Sequence, residues 1–239
     1  MEVGSLFSGI GGIDLGLEKA GHNISWQVEI NPFCQKVLHK HWPKIPIYNN
    51  IEELTDEQLQ TLRPVEIIAG GFPCQDISTI GGGAGLAGPR SGLWREMVRT
   101  IRVVRPKYVI VENVAALLQR GLYTVLKDLA EIGYNAEWDS IPAYTVGAPH
   151  TRDRLFIMAY TNGVAKPKSY QGLQPYRNGS YPRKDFERLS WYTLPGSYWD
   201  IHQPPTIGVD NGLSDRVDRS IALGNAVIPQ ILEIIGRSI

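Results

Sequence analysis

Of the two cysteines in 239 residues, one stands where a thiol can do chemistry. Cys74 lies in Gly70-Gly71-Phe72-Pro73-Cys74-Gln75, directly after the apolar run at Ile67. A cysteine fixed by proline at a strand end is well placed to point into a cleft, where its thiolate is a nucleophile. Cys34, among Phe33, Val37 and Leu38, reads instead as a small packing residue in mid-helix. Two further groups carry charge. Glu112-Asn113-Val114 ends the β-branched run Tyr108–Val111, where a carboxylate can share a proton with a ligand. His150-Thr151-Arg152-Asp153-Arg154 sets two guanidinium groups on one side of an extended segment, suited to carbonyl oxygens or phosphates. A surface ion pair with Asp153 is the competing reading for these arginines.

A different chemistry is suggested by Phe7-Ser8-Gly9-Ile10-Gly11-Gly12, which follows one apolar run and opens a helical one. Small residues let the backbone approach a ligand, and a helix start offers free N–H groups. The next run ends in Glu29, an acid placed to accept hydrogen bonds from both ribose hydroxyls of a nucleoside. These two features favour a nucleoside-bearing ligand without separating a nicotinamide cofactor from S-adenosylmethionine. The segment Thr79 to Gly92, rich in glycine, suits a lid that closes over substrate or a plain surface loop.

The elements that must position these residues alternate. Strand-like segments at Val3–Phe7, Ile24–Ile30, Glu66–Ala69, Tyr108–Val111 and Leu155–Ala159 are interleaved with helical stripes. The stripes are Ile10/Ile13/Leu17/Ala20, a helix opened by Pro32, and Leu122/Leu126/Leu129/Ile132. This pattern predicts a doubly wound, mainly parallel α/β sheet with ligands at the carboxyl ends of its strands. From about Asn162 to Asp210 the periodicity fades into a mixture of aromatic and basic residues, as in a small recognition lobe or a loop-rich mini-core. Order returns with the stripe Ile228/Ile231/Leu232/Ile235, with Pro229 in its first turn. Lys+Arg and Asp+Glu each number 24, so any nucleic-acid contact must rest on a local field rather than net charge. Two separated cysteines fit a reducing compartment, and no zinc spacing, signal peptide or bilayer-spanning run is visible. A cytoplasmic protein, monomeric and without metal, is expected.

In order and spacing, Phe7-Ser8-Gly9-Ile10-Gly11-Gly12, Glu29, Gly71-Phe72-Pro73-Cys74-Gln75, Glu112-Asn113-Val114, Arg152-Asp153-Arg154 and Gly224-Asn225-Ala226-Val227 resemble the cytosine-C5 DNA methyltransferase family. The resemblance covers Val3 to Ala159 and again Ala222 to Ile231. It implies a Rossmann-like methyltransferase domain over 1–160 and 213–239, with a target-recognition lobe inserted at 161–212. It further implies that Phe7, Gly9, Gly11, Gly12, Glu29, Ile30, Asn50, Ile51, Pro73, Leu93 and Asn225 bind S-adenosylmethionine. Gln75, Ser78 and Arg90 would meet double-stranded DNA. Cys74 would attack carbon 6 of a flipped-out cytosine, Glu112 would support ring N3, Arg154 the carbonyl oxygen, and Arg152 the active-site loop. The family usually has Asp where Asn50 stands and often Gln where His150 stands. Its usual segment before Ala222 is reduced to a short remnant at Leu213–Arg219. A tRNA substrate, a non-catalytic DNA-binding homologue and, from the glycine loop alone, a nicotinamide-dependent oxidoreductase are the alternatives.

Overall fold

In a computed structural model the alternating runs form a seven-stranded sheet of order β3-β2-β1-β4-β5-β7-β6. The structure describes residues 1–73, 92–148, 150–167 and 222–239. The strands are β1 (Glu2–Leu6), β2 (Asn23–Val28), β3 (Ile47–Tyr48), β4 (Ile67–Gly70), β5 (Tyr108–Val114), β6 (Tyr134–Ile141) and β7 (Arg154–Thr161). The helices are α1 (Gly12–Lys19), α2 (Pro32–His41), α3 (Asp56–Thr61), α4 (Gly92–Val104), α5 (Leu117–Arg120), α6 (Leu122–Glu131) and α7 (Pro229–Gly236). β1 to β5 pair in parallel, and β7 runs antiparallel to both of its neighbours, β5 and β6. The order reverses between β1 and β4, so a crevice opens beyond their carboxyl ends.

Successive side chains of the central strands go to opposite layers. Ile68, Val109 and Val111 join Trp26, Trp94 and Met97 on one face. Ile67, Ala69 and Ile110 join Leu17, Ile231 and Leu232 on the other. Both faces are therefore dry, and the central strands read as continuous apolar runs rather than alternating ones. On the second face α7 packs directly against α1. A side chain at Gly16 would collide with Leu232 and the Pro229 carbonyl, and one at Gly236 would meet Ala20 Cβ at 2.6 Å. The absence of side chains at Gly16 and Gly236 sets the close approach of these helices.

Several element boundaries differ from the sequence expectation. Glu112-Asn113-Val114 ends β5 as expected, but as paired strand, because pairing with β7 carries the ladder past Val111 to Val114. Cys34 belongs to the first turn of α2 rather than its middle, with Asn31 Oδ1 capping Phe33 and Cys34 N–H. Arg152 lies outside β7 with φ 21°, so it does not share the regular alternation of Arg154. β3, β6, α3, α4 and α5 are additional elements. Most of 161–212, including the aromatic and basic stretch from residue 168 on, lies outside the described residues. Among the described residues no helix is long and apolar enough to cross a membrane.

Candidate active site

The loop leaving β1 turns sharply: Phe7, Gly9 and Gly11 have φ of 53°, 56° and 85°. Glycine adopts that region without cost, whereas Phe7 is held there by its surroundings. A buried network underlies the turn. Ser8 Oγ donates to Ser5 Oγ at 2.9 Å, Ser5 Oγ donates to Asp14 Oδ2 at 3.1 Å, and Gln27 Nε2 donates to Asp14 Oδ1 at 3.0 Å. Burial pushes the Asp14 carboxyl up to about 6 against these two hydrogen bonds.

Glu29, one residue beyond β2, joins two loops at the crevice. Its Oε2 accepts from Gly9 N–H and its Oε1 from Asn31 N–H, each at 2.7 Å. Each carboxylate oxygen keeps further lone pairs, so two hydroxyl donors can still be received at this acid.

Beyond it lies a cavity of about 390 Å³, within the range of small-molecule sites. Phe7, Ile30, Ile51 and Leu93 give it apolar walls, and Gly9, Glu29, Asn50, Pro73 and Asn225 complete the predicted residues that line it. Apolar walls and a carboxylate with spare lone pairs fit an adenosine-bearing cofactor. Asn50 Oδ1 accepts from Glu52 N–H at 3.1 Å and caps the short helical turn Ile51–Glu53. Gly11 and Gly12 do not line the cavity. A side chain at Gly11 would strike the Trp42 ring, and one at Gly12 would lie 2.6 Å from the Val227 carbonyl oxygen. Their smallness serves packing around the loop. The walls also include Cys34 and Asn31, which lie in none of the motifs, and Asn113, which lies in one without an assigned role. Position was the available signal: the first two follow β2 at the crevice, and Asn113 is next to Glu112.

At the other end, Glu112 and Arg154 face each other. In the β5–β7 ladder Arg154 pairs with Val114, which puts Arg154 diagonally across from Glu112 on the same face. Arg154 Nε lies 3.1 Å from Glu112 Oε1, and its Nη1 donates to the Asp153 carbonyl at 2.8 Å. The ion-pair partner is thus Glu112 rather than the Asp153 carboxylate. Glu112 is 7% exposed. Burial drives its carboxyl up to about 7, although Arg154 and Arg152 both pull it down. Space for it comes from Gly71, where a Cβ would sit 2.7 Å from Glu112 Oε2. Asn113 Nδ2 donates to the Phe72 carbonyl at 3.1 Å and so ties the segment before Cys74 to β5.

Arg152 serves a different purpose from Arg154. Its Nη2 donates to the carbonyls of Gly224 at 2.7 Å and Ala226 at 2.8 Å, flanking the residue, Asn225, that reaches the cavity. Cys74, Gln75, Ser78 and Arg90 lie outside the described residues. Among the described residues no group of three or more His, Cys, Asp or Glu side chains is placed to hold a metal ion.

Comparison with known proteins gives a consistent picture. A family model described as C-5 cytosine-specific DNA methylase matches residues 1–206. Type II methyltransferase M2.BsuMI of Bacillus subtilis (strain 168) is 35% identical over 167 residues, covering 66% of this chain and 42% of that protein. Type II methyltransferase M.FnuDI of Fusobacterium nucleatum is 28% identical over 222 residues, covering 91% of this chain and 60% of that protein. The chain therefore spans less than two thirds of the length of either relative. Among solved structures, a mutant of Spodoptera frugiperda DNMT2 superposes with a TM-score of 0.59 at 24% identity, over 70% of this chain and 52% of that one. That likeness concerns the fold.

Proposed function

Since the chain belongs to the C-5 cytosine-specific DNA methylase family, we propose that it is a DNA (cytosine-5-)-methyltransferase using S-adenosylmethionine, with Cys74 as nucleophile. The observation that carries this reading is the single cavity wall shared by Glu29 and the glycine loop at one end and the Glu112–Arg154 pair at the other. A nucleoside cofactor and a polar heterocycle can thus be held against one another.

Bound S-adenosylmethionine would supply an electrophilic methyl group that carbon 5 receives, with neutral S-adenosylhomocysteine as the leaving group. The chain's own residues must make cytosine carbon 5 a nucleophile, which it is not by itself. A cytosine stacked in a duplex is out of reach, so the base is flipped out, at a cost of roughly a few kcal/mol. The Cys74 thiolate adds to carbon 6, and the electrons of the 5,6 double bond shift toward carbon 5 and the ring. Glu112, with its carboxyl raised to about 7, holds a proton at neutral pH that it can share with ring N3. Arg154 donates to the base carbonyl oxygen and restrains Glu112 at the same time. Afterwards a base, for which water suffices, takes the proton from carbon 5. The carbon 6–sulfur bond then breaks and Cys74 leaves as thiolate. Arg152 acts through the 224–226 carbonyls and positions Asn225 at the cavity. Gln75, Ser78 and Arg90 are assigned to the DNA side.

The test is transfer of labelled methyl groups from S-adenosylmethionine to mixed-sequence duplex DNA, followed by digestion to nucleosides. Label in 5-methyldeoxycytidine is expected from the wild type. Cys74→Ala should retain S-adenosylhomocysteine binding while losing at least about 10³-fold in transfer. Turnover by Cys74→Ala near the wild-type rate would eliminate the nucleophile assignment. Label in tRNA but not in DNA would change the substrate.

A further inference from the structure

On the face of the cavity away from the Glu112–Arg154 pair, one arginine makes an unusually complete set of bonds. Arg99 lies on α4, the helix whose first turn contributes Leu93 to the cavity. Its Nη2 donates to the carbonyls of Ile51 at 3.1 Å and Leu54 at 2.8 Å. Its Nη1 donates to Asp56 Oδ1 at 2.7 Å and its Nε to Glu96 Oε2 at 2.8 Å. Four of the acceptors around one guanidinium are thereby fixed, and three of them belong to the stretch 51–56 that carries one cavity wall. Glu96, one turn earlier on α4, holds the guanidinium itself in place.

The helix that carries Arg99 is a firm reference. Trp94, Met97 and Ile101 of α4 are buried in the same core layer as Ile51 and Leu54. The side chains of Ile51 and Leu54 are therefore set by apolar packing, and their carbonyls by Arg99. What remains to face the cavity from this stretch is Asn50, Ile51 and Glu52. Without the guanidinium, the Leu54 carbonyl would lose this donor and the Ile51 carbonyl would keep only the Leu54 N–H at 3.3 Å. The turn Ile51–Glu53 would then rest on the Asn50 cap, its two backbone bonds and its own packing.

We propose that Arg99 is a positioning residue for cofactor recognition: it fixes the 50–54 turn in the shape that reads the purine edge, and so sets selectivity for adenine. This deepens the methyltransferase reading and rests on it: that reading places the cofactor ribose at Glu29, and the 50–52 wall, which follows the strand whose Tyr48 carbonyl accepts from Glu29 N–H, is the neighbouring wall open to the purine. A planar fork of donors is required. Lysine concentrates its donors at one point and cannot serve two carbonyls and two carboxylates at once.

The test compares the Kd of S-adenosylhomocysteine with that of S-inosylhomocysteine, by calorimetry on the full chain. The two ligands differ only at the purine edge, so their ratio cancels every effect on the shared ribose and amino-acid parts. The wild type should prefer the adenine compound by about tenfold or more, the worth of roughly one hydrogen bond correctly made. Arg99→Ala should reduce that ratio to about threefold or less, and Arg99→Lys should fall between. A loss of general packing would weaken both ligands alike and leave the ratio intact. If Arg99→Ala does not fold, Arg99→Lys alone decides, and an unchanged ratio overturns the assignment. A wild type that binds both ligands equally overturns it as well. A wild type that binds neither ligand instead removes the cofactor reading on which the inference stands.

Discussion

Glu112 has two conflicting surroundings, and its behaviour follows from which one wins. Burial raises its carboxyl while two guanidinium groups lower it, and the net position is about 7. As a proton donor to ring N3 it is competent below that pH and lost above it. The Cys74 thiol, ordinarily near 8.5, sets the opposite limb because its thiolate is depleted as pH falls. A bell-shaped dependence of kcat/KM is expected, its alkaline limb belonging to Glu112. Glu112→Gln should reduce transfer about 10²–10⁴-fold and abolish the alkaline limb. An alkaline limb that survives in Glu112→Gln would show that another group supplies the proton. Residues of this kind were legible in the sequence because each is a polar or small residue immediately after an apolar run. Gly11, Gly12 and Arg152 show the limit. Their motifs mark them, but their partners, Trp42, Val227 and the Gly224 and Ala226 carbonyls, are distant in sequence and known only from packing.

At the scale of elements, the central strands were readable because both of their faces are dry. β6 was not, because only its ends Tyr134 and Ile141 are buried and most residues between them are polar, with Trp138 exposed. β3 is two residues long, too short for any periodicity. α4 does carry a stripe, Trp94, Met97 and Ile101, with Arg95, Arg99 and Arg102 on a separate face, but the glycine-rich sequence before it obscures its start. The contact between α1 and α7 depends on small residues more than on apolar ones. At Gly16 the obstructing atoms include the Pro229 carbonyl, which is backbone and cannot turn aside. Gly16→Ala should therefore destabilise the fold by about 1–3 kcal/mol, despite alanine's better helix propensity. Glu18→Ala on the same helix, away from α7, should stay within about 0.5 kcal/mol. Urea midpoints of the two variants make the comparison. Equal midpoints would mean that α7 shifts freely on α1.

Across the whole molecule, the crevice lies where strand order reverses, and the chemistry collects there from β1, β2, β4, β5 and β7. That location follows from strand–helix alternation alone. The seventh strand's antiparallel course does not follow from it, yet it is this course that aligns Arg154 with Glu112. Sequence comparison supplies the family, while the relatives' greater length leaves their target choice as a matter for measurement on this chain.

The packing of the last helix onto α1 has a consequence for how the protein opens. Asn225 reaches the cavity only when α7 is docked on α1 and Arg152 has closed on the carbonyls at either side of it. The pocket thus joins parts of the chain far apart in sequence, and it is among the last features to form because such distant loop closure is slow. Opening of this helix and loss of ligand become one linked event. S-adenosylhomocysteine should consequently slow amide exchange in α7, which lines no part of the cavity, by up to about 100-fold at 100 times Kd. Exchange in α7 that ignores the ligand would mean that the helix detaches without disturbing the pocket.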